Sequence, residues 1–163
     1  MARTELERNV QPSLLDRLTD EEPDRSVDLP VRRDESLHRF RQAVQRDIEH
    51  LLNTRRTTIP VDGRFPEVLD SVHGYGVPDT TGLAPGTMEG QRYLTEQIRE
   101  TLVRFEPRLE QVVVRLTESS QVRTPQVRFA IEATLRVDPT PERIVFDSVY
   151  EVARNLIALK ESS

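Results

Sequence analysis

The chain has 163 residues, of which 36% are hydrophobic and 31% charged, and its formal net charge is -5. This length suffices for one domain with a modest core plus polar ends. Because the net charge is negative, we do not expect a nucleic-acid-binding surface. The absence of cysteine excludes disulfides, thiolate nucleophiles and cysteine-ligated metal sites.

The hydropathy pattern argues against membrane insertion. No apolar run approaches the roughly 20 residues that cross a bilayer. The N-terminal stretch MARTELERNV is charged where a secretory signal has an apolar core. We therefore expect a cytoplasmic protein.

The first 33 residues predict a polar tail that carries one short helix. Ser13 is a plausible N-cap for a single apolar turn, formed by Leu14, Leu15 and Leu18. Helices below about 12 residues are marginal alone, so this turn must dock on its own core or on a partner. The charged, proline-containing residues 20–33 predict a linker, and residues 1–33 together an N-terminal tail.

A long amphipathic helix is predicted next, with Asp34 as its cap and Asn53 near its end. Its apolar residues recur at helical spacing: Leu37, Phe40, Val44, Ile48, Leu51 and Leu52. Between residues 53 and 89 we predict only a short helix at Pro66 or Glu67 and a turn-rich loop around Gly74 and Gly76.

A second helix is predicted from Met88 to Phe105, with Pro107 ending it. Its core stripe comprises Leu94, Ile98, Leu102 and Phe105. On its outer side, Glu100 and Arg104 are spaced for an i,i+4 ion pair.

After Pro107 the period becomes two, which indicates antiparallel strands. In the first, Val112, Val114 and Leu116 alternate with Val113 and Arg115. The second places six apolar residues on one face: Val127, Phe129, Ile131, Ala133, Leu135 and Val137. A third strand follows in IVFDSVYE, separated from the second by DPTPE.

The remaining stretch, VARNLIALKESS, fits a helix or a fourth strand after a turn at Arg154-Asn155, and we favour the strand. The predicted fold is α+β, with two main helices packed on a small antiparallel sheet of three or four strands. Residues 34–152 form the predicted main domain, and residues 153–163 a C-terminal tail or last strand.

Metal and nucleotide chemistry find no support in the sequence. His38 and His50 would lie roughly 18 Å apart along one helix, too far for one metal ion, and His73 has no ligand partner nearby in sequence. Neither a GxSxG elbow nor a phosphate-binding glycine loop is present. We therefore expect no cofactor and no metal.

Three interpretations compete for the Glu106-Pro107-Arg108 sequence. It is a helix stop with a surface ion pair, a catalytic carboxylate, or a rigid charged plug for another protein. Catalysis is disfavoured because Arg108 should keep Glu106 ionised, whereas a general acid must hold a proton. Residues at i and i+2 of an extended segment point the same way, so both charges would stand side by side. From the residues alone we favour the helix stop.

Four stretches together resemble TssE, the family of small baseplate subunits of bacterial type VI secretion systems. They are QPSLLDRL (11–18), RDIEHLLNTRR (46–56), SVHGYGVPD (71–79) and FEPRL (105–109). That family is related to the wedge proteins of contractile phage tails that carry the label "lysozyme-like". The resemblance covers most of residues 11–150, and nothing is carried onto the tail after Tyr150.

The resemblance implies a non-enzymatic wedge protein whose fold is similar to the linking part of contractile sheath subunits. It ties the motif at Glu106, Pro107 and Arg108 to docking of the first sheath ring, which makes the plug the favoured interpretation. Its partners would be sheath subunits and other wedge subunits, in a baseplate at the inner face of the cytoplasmic membrane.

Secondary interface candidates follow from the same resemblance: Arg55, Arg56, and the loop with Tyr75, Pro78 and Asp79. An alternative for Asn53 and the two arginines is that they cap and solvate the end of the helix. Leu14, Leu15 and Leu18 are a candidate contact for another wedge subunit. A phage tail, an extracellular injection particle and a muramidase-like glycosidase remain the alternatives for function.

Overall fold

The computed structural model describes residues 10–19, 33–80, 87–117 and 126–162. Its helices are α1 (Leu14–Leu18), α2 (Arg33–Asn53) and α3 (Met88–Phe105), with short 3-10 helices at Pro66–Asp70 and Val72–Gly74. Its strands are β1 (Leu109–Leu116), β2 (Gln126–Leu135), β3 (Glu142–Glu151) and β4 (Leu156–Glu161). Most of the predicted linker 20–33 and the predicted turn after β1 lie outside the described residues.

Helix α2 begins two residues earlier than an N-cap at Asp34 would place it. Arg33 is its first residue, and Asp34 and Glu35 lie in its first turn, so the prediction of Asp34 as N-cap is wrong. Carboxylates remain favourable there because the first turn exposes unpaired backbone N–H groups. The buried side of α2 follows the predicted spacing: Phe40, Ala43, Val44, Ile48, Leu51 and Leu52.

Helix α3 begins and ends where the sequence predicts. The Thr87 hydroxyl caps its start by accepting from the Gly90 N–H at 3.1 Å. At its end the Glu106 N–H donates to the Leu102 carbonyl at 2.9 Å. The predicted pair of Glu100 with Arg104 is wrong, because Arg104 instead contacts Asp70 at 3.2 Å.

The four strands form one antiparallel sheet in the order β1-β2-β3-β4. Strand β2 alternates as predicted, with Val127, Phe129, Ile131, Ala133 and Leu135 buried on the helix side. The fourth strand is confirmed, and the turn that precedes it places Asn155 at φ 51°. The α+β prediction is therefore confirmed, with four strands rather than three.

Strand β1 departs from simple alternation. Gln111 has φ 53°, and the pairing of β1 with β2 shifts register between Glu110 and Val113. A bulge of this kind bends and twists an edge strand. Val112 is buried, but Leu116 is 40% exposed, so the inward alternation does not continue to the end of the strand.

The outer edge of β4 is covered by side chains of α2. Gln45 Nε2 donates to the Leu159 carbonyl at 2.9 Å, and Glu49 Oε1 accepts from the Leu159 N–H at 2.8 Å. Asn53 exchanges two hydrogen bonds with the backbone of Ile157, each 2.8 Å long. Because these residues recur every four positions, one stripe of the helix satisfies the edge and blocks further strand pairing.

Helices and sheet share one hydrophobic core between them. Its most enclosed members are Val44, Ile48, Leu51, Ile98, Leu102, Phe129, Ile131, Leu135 and Phe146. Among the described residues, no helix is both long and apolar enough to cross a bilayer.

The loop after the 3-10 helices is fastened to the end of α2 through Gly76. The Val77 N–H donates to the Thr54 carbonyl at 2.9 Å, and the Arg56 N–H donates to the Val77 carbonyl at 3.0 Å. Gly76 has φ 101°, and a Cβ there would lie 2.4 Å from the Thr54 carbonyl oxygen. Only glycine therefore allows this approach of two backbones.

We predict that Gly76→Ala lowers the free energy of unfolding by about 2 kcal/mol or more, through strain and the lost backbone contacts. Chemical denaturation measures this loss. Gly63→Ala is the matched control, because nothing lies within 4 Å of the added Cβ. Equal stability of both variants would contradict the assigned packing.

Candidate partner-binding site

A tight corner joins α3 to β1. Glu106 is the C-cap of α3, and its carbonyl accepts from the Leu109 N–H at 3.1 Å, so only Pro107 and Arg108 separate it from the strand. Proline fixes φ and cannot continue the helix, which accounts for the abrupt stop. Residues 106–108 are called the Glu-Pro-Arg corner below.

Glu106 turns into the domain and is held there by Arg108. Its residue is only 5% exposed. Its Oε1 accepts from Arg108 Nε at 2.6 Å and from the Arg108 backbone N–H at 3.2 Å. Its Oε2 accepts from Arg108 Nη2 at 2.5 Å. This is a bidentate pair, the geometry in which a guanidinium binds a carboxylate most specifically.

Asp47 on α2 holds the other side of the same guanidinium. Arg108 Nη2 donates to Asp47 Oδ2 at 2.9 Å, and the guanidinium carbon lies 6.0 Å from the centre of the Phe40 ring. The hydrogen bond to Glu106, followed by the Coulombic and Asp47 contributions, outweighs burial and raises the pKa of Arg108. Two carboxylates thus fix one cation between the helices and the sheet.

This geometry decides which parts of the corner a partner can reach. Glu106 and Arg108 lie side by side, as their spacing predicts, but they contact each other. Pro107 is exposed, and the Arg108 side chain retains 24% exposure. The reachable surface is therefore the proline ring and the outer part of the guanidinium, with Glu106 behind them.

Helix α1 presents its leucines to solvent. Leu14, Leu15 and Leu18 are 71%, 60% and 76% exposed, and they are called the leucine turn below. The sequence required α1 to dock on its own core or on a partner, and these side chains are not in the core. Ser13 caps the helix by accepting from the Asp16 N–H at 3.2 Å, as predicted.

Polar contacts fasten the opposite side of α1 to α2. Asp16 Oδ1 accepts from Arg46 Nη1 at 2.9 Å, and the Val10 N–H donates to the Ser36 hydroxyl at 3.1 Å. Burial acts to raise the pKa of Asp16, but hydrogen bonds from Ser13 and Arg46 outweigh it and lower that pKa overall. The leucine turn is therefore held on the domain by its polar side.

Arg55 and Arg56 lie beyond the end of α2, beside the loop that contains Pro78 and Asp79. Arg55 forms an ion pair with Asp79 across these two segments. The alternative in which Asn53 caps the helix is wrong, because its side chain bonds to the backbone of β4 instead.

The loop residues divide between two places. The Tyr75 ring packs edge-on against Phe105 at 5.4 Å, next to the corner, and burial followed by the charges of Asp47 and Glu106 raises its pKa. Pro78 and Asp79 instead line a surface groove of about 390 Å³ together with Arg56. The predicted secondary residues thus belong to two surfaces.

Arg46 and Asp47 fall within the RDIEHLLNTRR stretch (46–56), but the sequence predicted no site role for either residue. Both lie where α1, α2 and the corner meet, with side chains 41% and 29% exposed. Asp47 is 61 residues from Arg108 in sequence, so no local spacing could reveal their contact.

The described residues contain no group of three or more side chains suited to a metal ion. His73 Nε2 lies 3.1 Å from the Ile59 carbonyl oxygen, a contact within its own loop.

We predict that Arg108→Ala lowers the free energy of unfolding by about 3 kcal/mol, because it leaves the buried Glu106 carboxylate unpaired. The double variant Glu106→Leu/Arg108→Met should be more stable than this single variant, since it removes both charges. Denaturant unfolding measures the difference. Arg39→Ala is the control, because its pair with Glu35 is exposed and worth less than about 1 kcal/mol. If Arg108→Ala costs no more than the control, the pair is not structural.

Comparison with known proteins assigns this chain to a family. The family model "Baseplate wedge protein gp25" matches residues 38–140, more than half of the chain. Searches of curated proteins and of solved structures gave no significant match. The matched region contains most of α2 and the whole of α3, the Glu-Pro-Arg corner, β1 and β2. The chain therefore belongs to the gp25 family of baseplate wedge proteins, the structural components of contractile-tail baseplates.

Proposed function

We propose that this wedge protein belongs to a type VI secretion system and docks the first ring of the contractile sheath. The Glu-Pro-Arg corner and the neighbouring edge strand β1 form the docking surface. The four stretches that resemble TssE support the type VI assignment. The observation that supports this docking surface is that the two outer edges of the sheet differ in whether their backbone groups already have hydrogen-bond partners.

The sheet offers one edge to another strand. The outer edge of β4 is occupied by Gln45, Glu49 and Asn53. Among the described residues no strand pairs with the outer edge of β1. An unpaired edge presents a row of backbone donors and acceptors that an extended segment can complete. A sheath segment would therefore add to the sheet beside β1.

The corner supplies the side-chain part of that docking surface. It lies directly before β1, so the proline ring and the Arg108 guanidinium stand at the start of the open edge. Glu106 contributes by fixing Arg108 rather than by touching the sheath. A charge held in one orientation favours one register of the incoming segment, because binding costs less when the side chain is already ordered.

The leucine turn is the proposed contact for another wedge subunit. An exposed apolar turn fastened by its polar side suits insertion into an apolar groove of a partner. The groove lined by Arg56, Pro78 and Asp79 is a further candidate contact, together with Arg55, which pairs with Asp79. Tyr75, which packs on Phe105, is a candidate contact beside the corner instead. The baseplate would assemble at the inner face of the cytoplasmic membrane through other subunits.

The muramidase alternative is disfavoured by the geometry around Glu106. A glycosidase acid must be protonated and accessible, with a second carboxylate about 5 to 9.5 Å away across a substrate cleft. Glu106 is buried, and both of its oxygens accept from Arg108. The nearest acid in this network, Asp47, is bonded to the same guanidinium. A hydrolytic role does not follow from this arrangement.

We predict that Leu116→Pro blocks sheath docking while the domain stays folded. The Thr117 N–H donates to the Arg128 carbonyl of β2 at 3.0 Å, so the neighbouring Leu116 N–H faces the open edge. Proline there removes a donor that only an added strand would use. Leu116→Ala is the matched control, because it shortens the same side chain but keeps the N–H. Sheath assembly on reconstituted baseplates measures docking. Normal assembly with Leu116→Pro would contradict docking at this edge.

Co-purification from the host separates a type VI system from a phage tail or an extracellular particle. We predict that the tagged chain brings down sheath and wedge subunits whose genes lie beside a membrane complex and an ATPase of the type VI kind. Mass spectrometry identifies them. Recovery of phage tail proteins in their place would overturn the type VI assignment and leave the wedge role intact.

A further inference from the structure

Five alternating charges connect the leucine turn of α1 to the Glu-Pro-Arg corner. In order they are Asp16, Arg46, Asp47, Arg108 and Glu106, and they are called the ion-pair chain below. Its links are 2.9 Å from Asp16 to Arg46, 3.1 Å from Arg46 to Asp47, 2.9 Å from Asp47 to Arg108 and 2.5 Å from Arg108 to Glu106.

Two of the three inner residues of the chain, Arg46 and Asp47, use different atoms for each neighbour. Arg46 binds Asp16 through Nη1 and Asp47 through Nε and Nη2. Asp47 accepts from Arg46 at Oδ1 and from Arg108 at Oδ2. A change in the orientation of either side chain therefore disturbs both of its contacts together.

We propose that Arg46 and Asp47 are positioning residues that couple the leucine turn to the corner. On the proposed function, capture of the leucine turn by a wedge subunit orders α1 and, through the ion-pair chain, holds Arg108 ready for the sheath. By linkage, sheath docking strengthens the capture of α1 by the same factor. Incorporation into the wedge would then favour sheath docking at this subunit.

Helix α1 is suited to respond to such coupling. It has five residues, too few to be stable without outside contacts. The described contacts that hold its polar side include the ion pair of Asp16 with Arg46. Half-exposed ion pairs are individually weak, so the coupling should be about twofold to fivefold in equilibrium terms.

Hydrogen exchange in the isolated, full-length chain tests the coupling from both ends by NMR. Asp47→Asn should raise amide exchange at Arg17 and Thr19 of α1 by about twofold to fivefold, although the hydrogen bonds of Asp47 go to Arg46 and Arg108. Asp16→Asn should likewise speed exchange of the Arg108 Nε–H, which lies at the far end of the chain. Glu35→Gln, an acid on α2 that pairs with Arg39, should change neither rate.

Unchanged exchange at the far end in either variant would overturn the coupling and leave two independent ion pairs. Should Asp47→Asn fail to fold, Arg46→Met removes a cation of the chain while keeping the apolar stem. Because Arg46 contacts Asp16 directly, the reading that then tests the coupling is exchange of the Arg108 Nε–H. Failure of the proposed function is distinguishable, since it would show as normal sheath assembly with Leu116→Pro while exchange in the isolated chain still responds at both ends.

Discussion

The bidentate contact between Glu106 and Arg108 is the interaction on which the site depends. A buried carboxylate is costly unless it is paired and hydrogen-bonded, and here it receives the guanidinium and a backbone N–H together. On the helix side, Asp47 accepts a further hydrogen bond from the same guanidinium. The corner is therefore fixed in direction before any partner arrives, and Pro107 stands exposed on a rigid base.

The two outer edges of the sheet differ, and the Glu-Pro-Arg corner leads directly into the strand at one of them. Helix α2 uses one stripe of polar side chains to close the edge of β4, while its apolar side fills the core. The edge of β1 begins directly after the corner and is twisted by the bulge at Gln111. The proposed docking of a sheath segment requires that one edge accept an added strand while the other is protected from wrong pairing. The described part of the chain has this asymmetry.

Much of the fold could be predicted from sequence because its determinants are local. The 3.6-residue spacing of Val44, Ile48 and Leu51 located α2, and Pro107 located the end of α3. The period-two pattern of β2 was strong because one face is fully buried. The bulge at Gln111 has no comparable signal, since its conformation depends on pairing with β2 rather than on its own neighbours.

The site was harder to predict than the fold. The motif at the corner could be found, but a Glu-Pro-Arg sequence suggests an exposed ion pair, whereas Glu106 is buried. The Arg108 guanidinium that pairs with Glu106 is also bound by Asp47, which comes 61 residues earlier in the chain. Likewise, the leucine turn was predicted as a helix, while its attachment through Asp16 and Arg46 required the tertiary structure.

The most direct measurement of the central claim is a cryo-electron microscopy map of a baseplate with its first sheath ring. The account predicts an extended sheath segment paired with the outer edge of β1. It also predicts that Glu106 remains on Arg108, with the partner touching Pro107 and the outer guanidinium. A map in which Glu106 leaves Arg108 to contact the sheath, or in which the sheath segment binds away from β1, would contradict it.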